Sequence, residues 1–223
     1  MTELFVASLP GEDVDQLFFS KTGTLNDYYR AKVIRYSHKR AKLRALTAAL
    51  LLARVVNEFC QIDFAQAKIA ENEYGKPHIV GLPDFHFNLS HSGEWVVCAI
   101  NPQPLGVDVQ EVCRKTELDI AERFFSTSEA GDLRKLPQLQ QRDYFFTLWA
   151  LKESYIKAEG KGLSIALDSF EFRVNEQIEF LANDSTCGWQ FRLYELQAGY
   201  KLALCLPHDR FPVLRDWSKR ITN

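Results

Sequence analysis

An aspartate flanked by valines, Val107-Asp108-Val109, is the first place where residue type alone suggests chemistry. In a strand, side chains alternate faces. Val107 and Val109 would then point one way, Asp108 and Gln110 the other. A carboxylate among buried valines must be hydrogen-bonded, paired or bound to a cation. Magnesium is a hard ion that takes one or two protein carboxylates together with phosphate oxygens and water. Asp108 suits that role, and Gln110 adds an amide oxygen on the same face. The second group is Trp149-Ala150-Leu151-Lys152-Glu153-Ser154-Tyr155-Ile156-Lys157. On a helix, Phe145, Leu148, Trp149, Lys152 and Ile156 form one stripe, with Glu153 and Lys157 a turn apart beside it. Glu153 could bind metal or take a proton, and Lys152 or Lys157 could hold phosphate. The plain alternative is an exposed i,i+4 ion pair.

Two further segments belong with these. Asn88-Leu89-Ser90-His91-Ser92-Gly93 reads as a turn able to contact an oxyanion. A serine hydrolase is rejected: no G-x-S-x-G elbow exists, and adjacent residues rarely present nucleophile and base to each other. From Tyr28 to Arg54 there are eight Lys or Arg and no Asp or Glu. Three readings compete for that basic surface: a solvated face, a phosphate-rich small ligand, or a nucleic acid. The thin interleaving of aromatics weakens the last.

The elements that must position these residues follow from apolar periodicity. A strand is expected at 4–8, then polar turns. A long helix is expected from about Asp27 to Phe59, with Leu43, Leu46, Leu50 and Ala53 on one face. Strands follow at 85–89 and 95–100, with a less distinct one at 62–70. Asn101-Pro102-Gln103-Pro104 is the strongest interruption, so the chain divides into 1–103 and 104–223. Beyond it come a strand at 105–109, helices at 118–125, 128–136 and 143–159, and strands at 169–174, 189–196 and 200–206. Gly160 and Gly162 end the last helix. The order β, α, ββ occurs twice, which places the chain in the α+β class as two halves of similar build.

Composition narrows the function. The chain has 223 residues, 46% hydrophobic and 25% charged, a globular composition. With 27 basic and 29 acidic side chains the net charge is −2, which argues against a wholesale polyanion binder and leaves room for a local basic patch. No apolar run approaches the roughly 20 residues a bilayer span needs, and the first residues lack a signal-peptide pattern. Five scattered cysteines without a C-x-x-C pair point to thiols in a reducing cytosol.

Taken in order, Tyr74-Gly75-Lys76-Pro77, Phe87 to Gly93, Leu105 to Val109, Arg123-Phe124-Phe125-Ser126 and Phe146 to Gly162 with its W-x-x-K-E-S centre resemble the 4′-phosphopantetheinyl transferases of the surfactin-synthetase-activating (Sfp-like) type. The resemblance runs from about Asp27 to Leu206. It implies two α+β halves related by a pseudo-twofold axis, with coenzyme A and magnesium in the cleft between them. It implies transfer of phosphopantetheine to a serine of apo acyl or peptidyl carrier proteins, releasing 3′,5′-bisphosphoadenosine. By similarity, Arg30, Lys32 and Arg44 meet the 3′-phosphate. Gly75, Lys76 and Pro77 form the adenine-side loop, and Ser90 and His91 approach the phosphates. Asp108 and Glu153 hold magnesium with Gln110. Lys152 and Lys157 add positive charge, and Glu153 is the general base. Many relatives have D-x-E where this chain has Asp108-Val109-Gln110. A catalytically impaired coenzyme A-binding paralogue is therefore the alternative. Arg114, Lys115 and the Arg123-Phe124-Phe125 helix resemble the carrier-facing segment. A cytoplasmic monomer is expected.

Overall fold

The computed structural model describes residues 1–113, 118–182 and 188–221. The first half runs β1 (Glu3–Ser8), α1 (Val14–Lys21), α2 (Asp27–Ile34), α3 (Lys39–Cys60), β2 (Ile69–Glu71), β3 (Pro77–Ile79), β4 (His86–Ser92) and β5 (Trp95–Asn101). The second runs β6 (Gly106–Glu111), α4 (Ala121–Phe124), α5 (Thr127–Lys135), α6 (Gln138–Glu159), β7 (Phe170–Val174), β8 (Ile178–Ala182), β9 (Gln190–Tyr194) and β10 (Tyr200–Leu206). The chain closes with β11 (Leu214–Asp216) and α7 (Ser218–Ile221).

The α+β class and the repeated build are both visible in the strand order. One sheet runs β11-β1-β5-β4, the other β6-β10-β9. In each half the first strand pairs antiparallel with the last, which pairs antiparallel with the one before it. Each half inserts a small hairpin, β2–β3 or β7–β8, after a 22-residue helix. α3 and α6 each cover one face of their sheet. The opposite faces meet through Leu4, Val6, Val97 and Ala99 on one side and Val107, Val109, Leu202 and Leu204 on the other.

A seam of side chains joins the halves where the sheets do not share strands. Asn88, Ser90 and Ser92 lie on one face of β4 by their period of two. Their oxygens accept the N–H groups of Val107 (2.8 Å), Val109 (3.2 Å) and Glu111 (2.9 Å) on β6. They thus serve the free edge of β6, whose backbone donors would otherwise be buried unpaired.

Four expectations change. Of the strand expected at 62–70 only the end is one, in β2, because a 3₁₀ turn takes Phe64–Gln66. The single helix 27–59 is two, because 34–38 strings together Ile34, Tyr36, Ser37 and His38, all indifferent helix formers. The turn expected at 88–93 is the end of β4, and only Gly93 and Glu94 turn. The terminal segment does not stay with residues 104–206: β11 pairs parallel with β1, and Trp217 and Ile221 enter the first core. α1, β3, β8, β11 and α7 were not read from the sequence at all.

Candidate active site

A cleft of about 420 Å³ opens between the halves. The first half lines it with Tyr29, Lys32, Val33, Tyr36, Ala45, Ala48, Leu89, Ser90 and His91; the second supplies Asp108, Gln110, Trp149, Glu153 and Lys157.

Asp108 sits at its floor, 2% exposed, while Val107 and Val109 face the intersheet core. Its Oδ1 accepts from Lys157 Nζ (2.5 Å) and from the Ser90 hydroxyl (2.8 Å), and its Oδ2 from Gln110 Nε2 (2.8 Å). Lys157 also donates to Ser90 Oγ (3.1 Å) and the Val107 carbonyl (3.3 Å). Glu153, one turn before Lys157, shares the cleft. Burial pushes its carboxyl above the ordinary value; Lys157 opposes that shift and Asp108 adds to it. Burial likewise pushes the His91 imidazole down, and Arg44, Lys157 and Lys32 push it further in the same direction. The charges of cations from both halves therefore act on one imidazole.

Gly106 allows this closeness. A Cβ there would lie 1.9 Å from the Ser154 carbonyl oxygen and 2.4 Å from the Ala158 nitrogen. Only a glycine lets β6 run directly against α6 and set Asp108 opposite Glu153 and Lys157.

Other residues named from the sequence lie elsewhere. Lys152 is wholly buried, bonded to Glu129 Oε2 (2.8 Å) and to the Leu167 (2.8 Å) and Phe170 (2.7 Å) carbonyls. The structure does not bring it to the cleft. Arg30 pairs with Asp27 at 3.0 Å outside the cleft lining. Lys39, Arg40 and Lys42 pair with Asp13, Glu94 and Asp15, so half of the eight basic residues form a neutralised, solvated face. Lys32 and Arg44 make no ion pair among the described residues, and Arg44 Nη1 lies 3.4 Å from the Gly93 carbonyl. Gly75, Lys76 and Pro77 line a neighbouring recess of about 210 Å³ that shares Glu153 and Lys157 with the cleft. The Lys76 ammonium turns away from both, to the end of α6. Phe125 is buried against Phe145 and Trp149 and is not a surface group. Arg114 and Lys115 lie outside the described residues. Trp149 in the cleft wall was placed in the wrong stripe, although its spacing to Glu153 and Lys157 is the signal that would have found it.

The donor set suits magnesium: two carboxylates and the Gln110 amide line one cleft, with cations alongside for phosphates. Among the described residues no cluster of three or more His, Cys, Asp or Glu could hold a metal, so such an ion would depend on ligand oxygens.

An α+β molecule with an acid–lysine centre in a cation-lined cleft between two like halves suits a group-transfer enzyme that handles phosphates. Residues 104–205 match the 4′-phosphopantetheinyl transferase superfamily, and 14–103 match the 4′-phosphopantetheinyl transferase N-terminal family. The chain is 43% identical over 185 residues to 4′-phosphopantetheinyl transferase Sfp of Bacillus subtilis, covering 82% of each. It is 34% identical to 4′-phosphopantetheinyl transferase gsp of Aneurinibacillus migulanus, covering 92% of this chain and 86% of that one. A solved holo-(acyl-carrier-protein) synthase of Bacillus anthracis in complex with CoA (3′,5′-ADP) aligns at 18% identity and TM-score 0.41, over 46% of this chain and 92% of that one. The chain belongs to the 4′-phosphopantetheinyl transferase superfamily, in its Sfp-like branch. It is an enzyme that transfers phosphopantetheine to carrier proteins.

Proposed function

We propose that this enzyme takes phosphopantetheine from coenzyme A, with magnesium, in the cleft between the halves. The observation that carries the proposal is the Asp108–Lys157 pair beside Glu153, with Lys32 in the same cleft lining and the charge of Arg44 acting on His91. Lys32 and Arg44 offer positive charge to the 3′-phosphate. The recess beside Tyr74, Pro77, Ile156 and Leu163 gives a flat base an apolar seat. His91, kept neutral, can donate one hydrogen bond to a phosphate oxygen without adding charge. Asp108 and Glu153 would hold magnesium, with Gln110 reaching it after its amide turns over. When bound, the ion would supply positive charge that offsets the charge of the phosphates.

Glu153 accepts the proton of the carrier serine hydroxyl. The serine Oγ then forms a bond to the β-phosphorus of coenzyme A. The bond from that phosphorus to the bridging oxygen breaks, and 3′,5′-bisphosphoadenosine leaves with the electron pair. Lys157 stays beside the phosphoryl oxygens and stabilises their charge. We read the enzyme as a cytosolic monomer; the four described cysteines are free thiols, and among the described residues no helix is long and apolar enough to cross a membrane.

One observation favours the impaired-paralogue alternative: both Asp108 oxygens are engaged by Lys157, Ser90 and Gln110. Intact-mass measurement of an apo carrier protein with coenzyme A, with and without magnesium, decides between them. A magnesium-dependent gain of one phosphopantetheine is expected. Coenzyme A binding without any gain on several carriers would establish the alternative.

A further inference from the structure

The last four carbonyls of a helix have no partners within it. In α6 these lie directly beyond Glu153 and Lys157. Gly160 N–H satisfies the Ile156 carbonyl at 3.0 Å. The next two are met from the other half of the molecule. Lys76 Nζ donates to the Lys157 carbonyl (2.5 Å) and the Ala158 carbonyl (3.2 Å), and also to the Leu105 carbonyl (3.0 Å) just before β6. Asn72 Nδ2 donates to the Gly160 carbonyl at 2.8 Å. Asn72 Oδ1 accepts the backbone N–H of Lys76 (2.8 Å), which fixes the turn that carries the lysine. Gly160, at φ +70°, leaves room for the stem: a Cβ there would stand 2.8 Å from Lys76 Cδ.

An ammonium has three N–H donors and no acceptor. All three donors of Lys76 are taken by carbonyls, so none remains for a phosphate or an adenine. We infer that Lys76 is a positioning residue that locks the Glu153–Lys157 end of α6 to the start of the Asp108 strand, and not a contact to coenzyme A. One cation from the β2–β3 hairpin thereby holds the two elements of the opposite half that carry the acid–lysine centre. This inference rests on the transfer reaction proposed above for the same cleft.

The prediction is a loss in kcat without a loss in ligand affinity. Displacing a reacting group by about 1 Å can cost on the order of a hundredfold. Lys76→Met should lower kcat at least tenfold, with the KM and the calorimetric Kd for coenzyme A within about threefold of wild type. Asn72→Ala removes only the bond to Gly160 and the turn contacts. It should lower kcat about threefold, again at unchanged KM, and it decides the matter if circular dichroism shows Lys76→Met unfolded. Amide hydrogen exchange across 156–160 should quicken in both variants, in samples free of coenzyme A and carrier. A tenfold rise in the Kd for coenzyme A at constant kcat would overturn the inference, since Lys76 would then be a ligand contact. Unchanged kcat, or unchanged exchange at the helix end, would overturn it equally. If wild type itself transfers nothing, the reaction assignment fails, while the exchange measurement still scores the lock.

Discussion

Trp149, Glu153 and Lys157 recur at four-residue spacing and share the cleft face of α6, whereas Phe145, Leu148, Lys152 and Ile156 turn inward. Lys152 and Lys157 look alike in the sequence, and rotation about the helix axis alone separates a structural cation from a reactive one. That rotation was legible in part. A lysine inside an apolar stripe demands a buried partner, but the partner, Glu129, comes from another helix and could not be read from spacing. Lys152→Met should leave Glu129 as an uncompensated buried charge and cost about 3–5 kcal/mol, measured by urea denaturation, with coenzyme A affinity unchanged. The valine alternation around Asp108 was read correctly, because a strand with one buried face fixes where every second side chain points. Glu153 carries a cost of its own. Its carboxyl is raised above 4.5 in the native state by burial. The native state therefore holds a proton that the unfolded chain has released above that pH, and stability falls as pH rises through the interval. Glu153→Gln should raise Tm at pH 7 in metal-free buffer and leave it unchanged at pH 4. It should also slow transfer by about 10²–10⁴-fold. A Tm at pH 7 no higher than wild type would refute the burial argument.

Elements tolerate less than residues do, because their approach distance is shared along their length. β6 lies against α6 through Gly106, and a methyl group there would meet backbone atoms that cannot rotate away. Overpacking in a core costs about 1–3 kcal/mol, and a clash with backbone falls at the top of that range. Gly106→Ala should shift the urea midpoint down accordingly and lower kcat as Asp108 parts from Lys157; a variant with the wild-type midpoint would show that the strand can slide. The glycine was visible in the sequence, but its reason was not, since the opposing backbone lies some fifty residues on. The same holds for β4. Its hydroxyl and amide residues read as a turn by composition, yet they alternate along a strand because their oxygens serve β6. The break between α2 and α3 was readable from weak helix formers that apolar periodicity overrode.

At the scale of the whole molecule, the doubled β, α, ββ pattern was legible, because each half carries its own helix and hairpin in the same order. The return of the chain's last segment was not, since three-residue strands such as β11 carry no periodicity. Trp217 stands with its ring centroid 4.1 Å from that of Phe5, and its backbone N–H donates to the Val6 carbonyl at 2.8 Å. Trp217→Ala should cost about 3–5 kcal/mol, lowering Tm by about 6–20 °C, without changing coenzyme A affinity at 15 °C. A Tm within 2 °C of wild type would mean that the terminal segment is ornamental. The parallel pairing of β11 with β1 also has a consequence in time. A ribosome completes β1, β4 and β5 with Asn101, roughly 110 residues before it delivers β11 at Leu214–Asp216, a delay of about 5–20 s at ordinary elongation rates. Through that interval the outer edge of β1 lacks its β11 partner and is open to a chaperone, to a neighbouring nascent chain, or to a wrong strand of its own. Maturation of the first half is therefore set by the speed of translation of the second, and slow codons late in the message would lengthen its exposure.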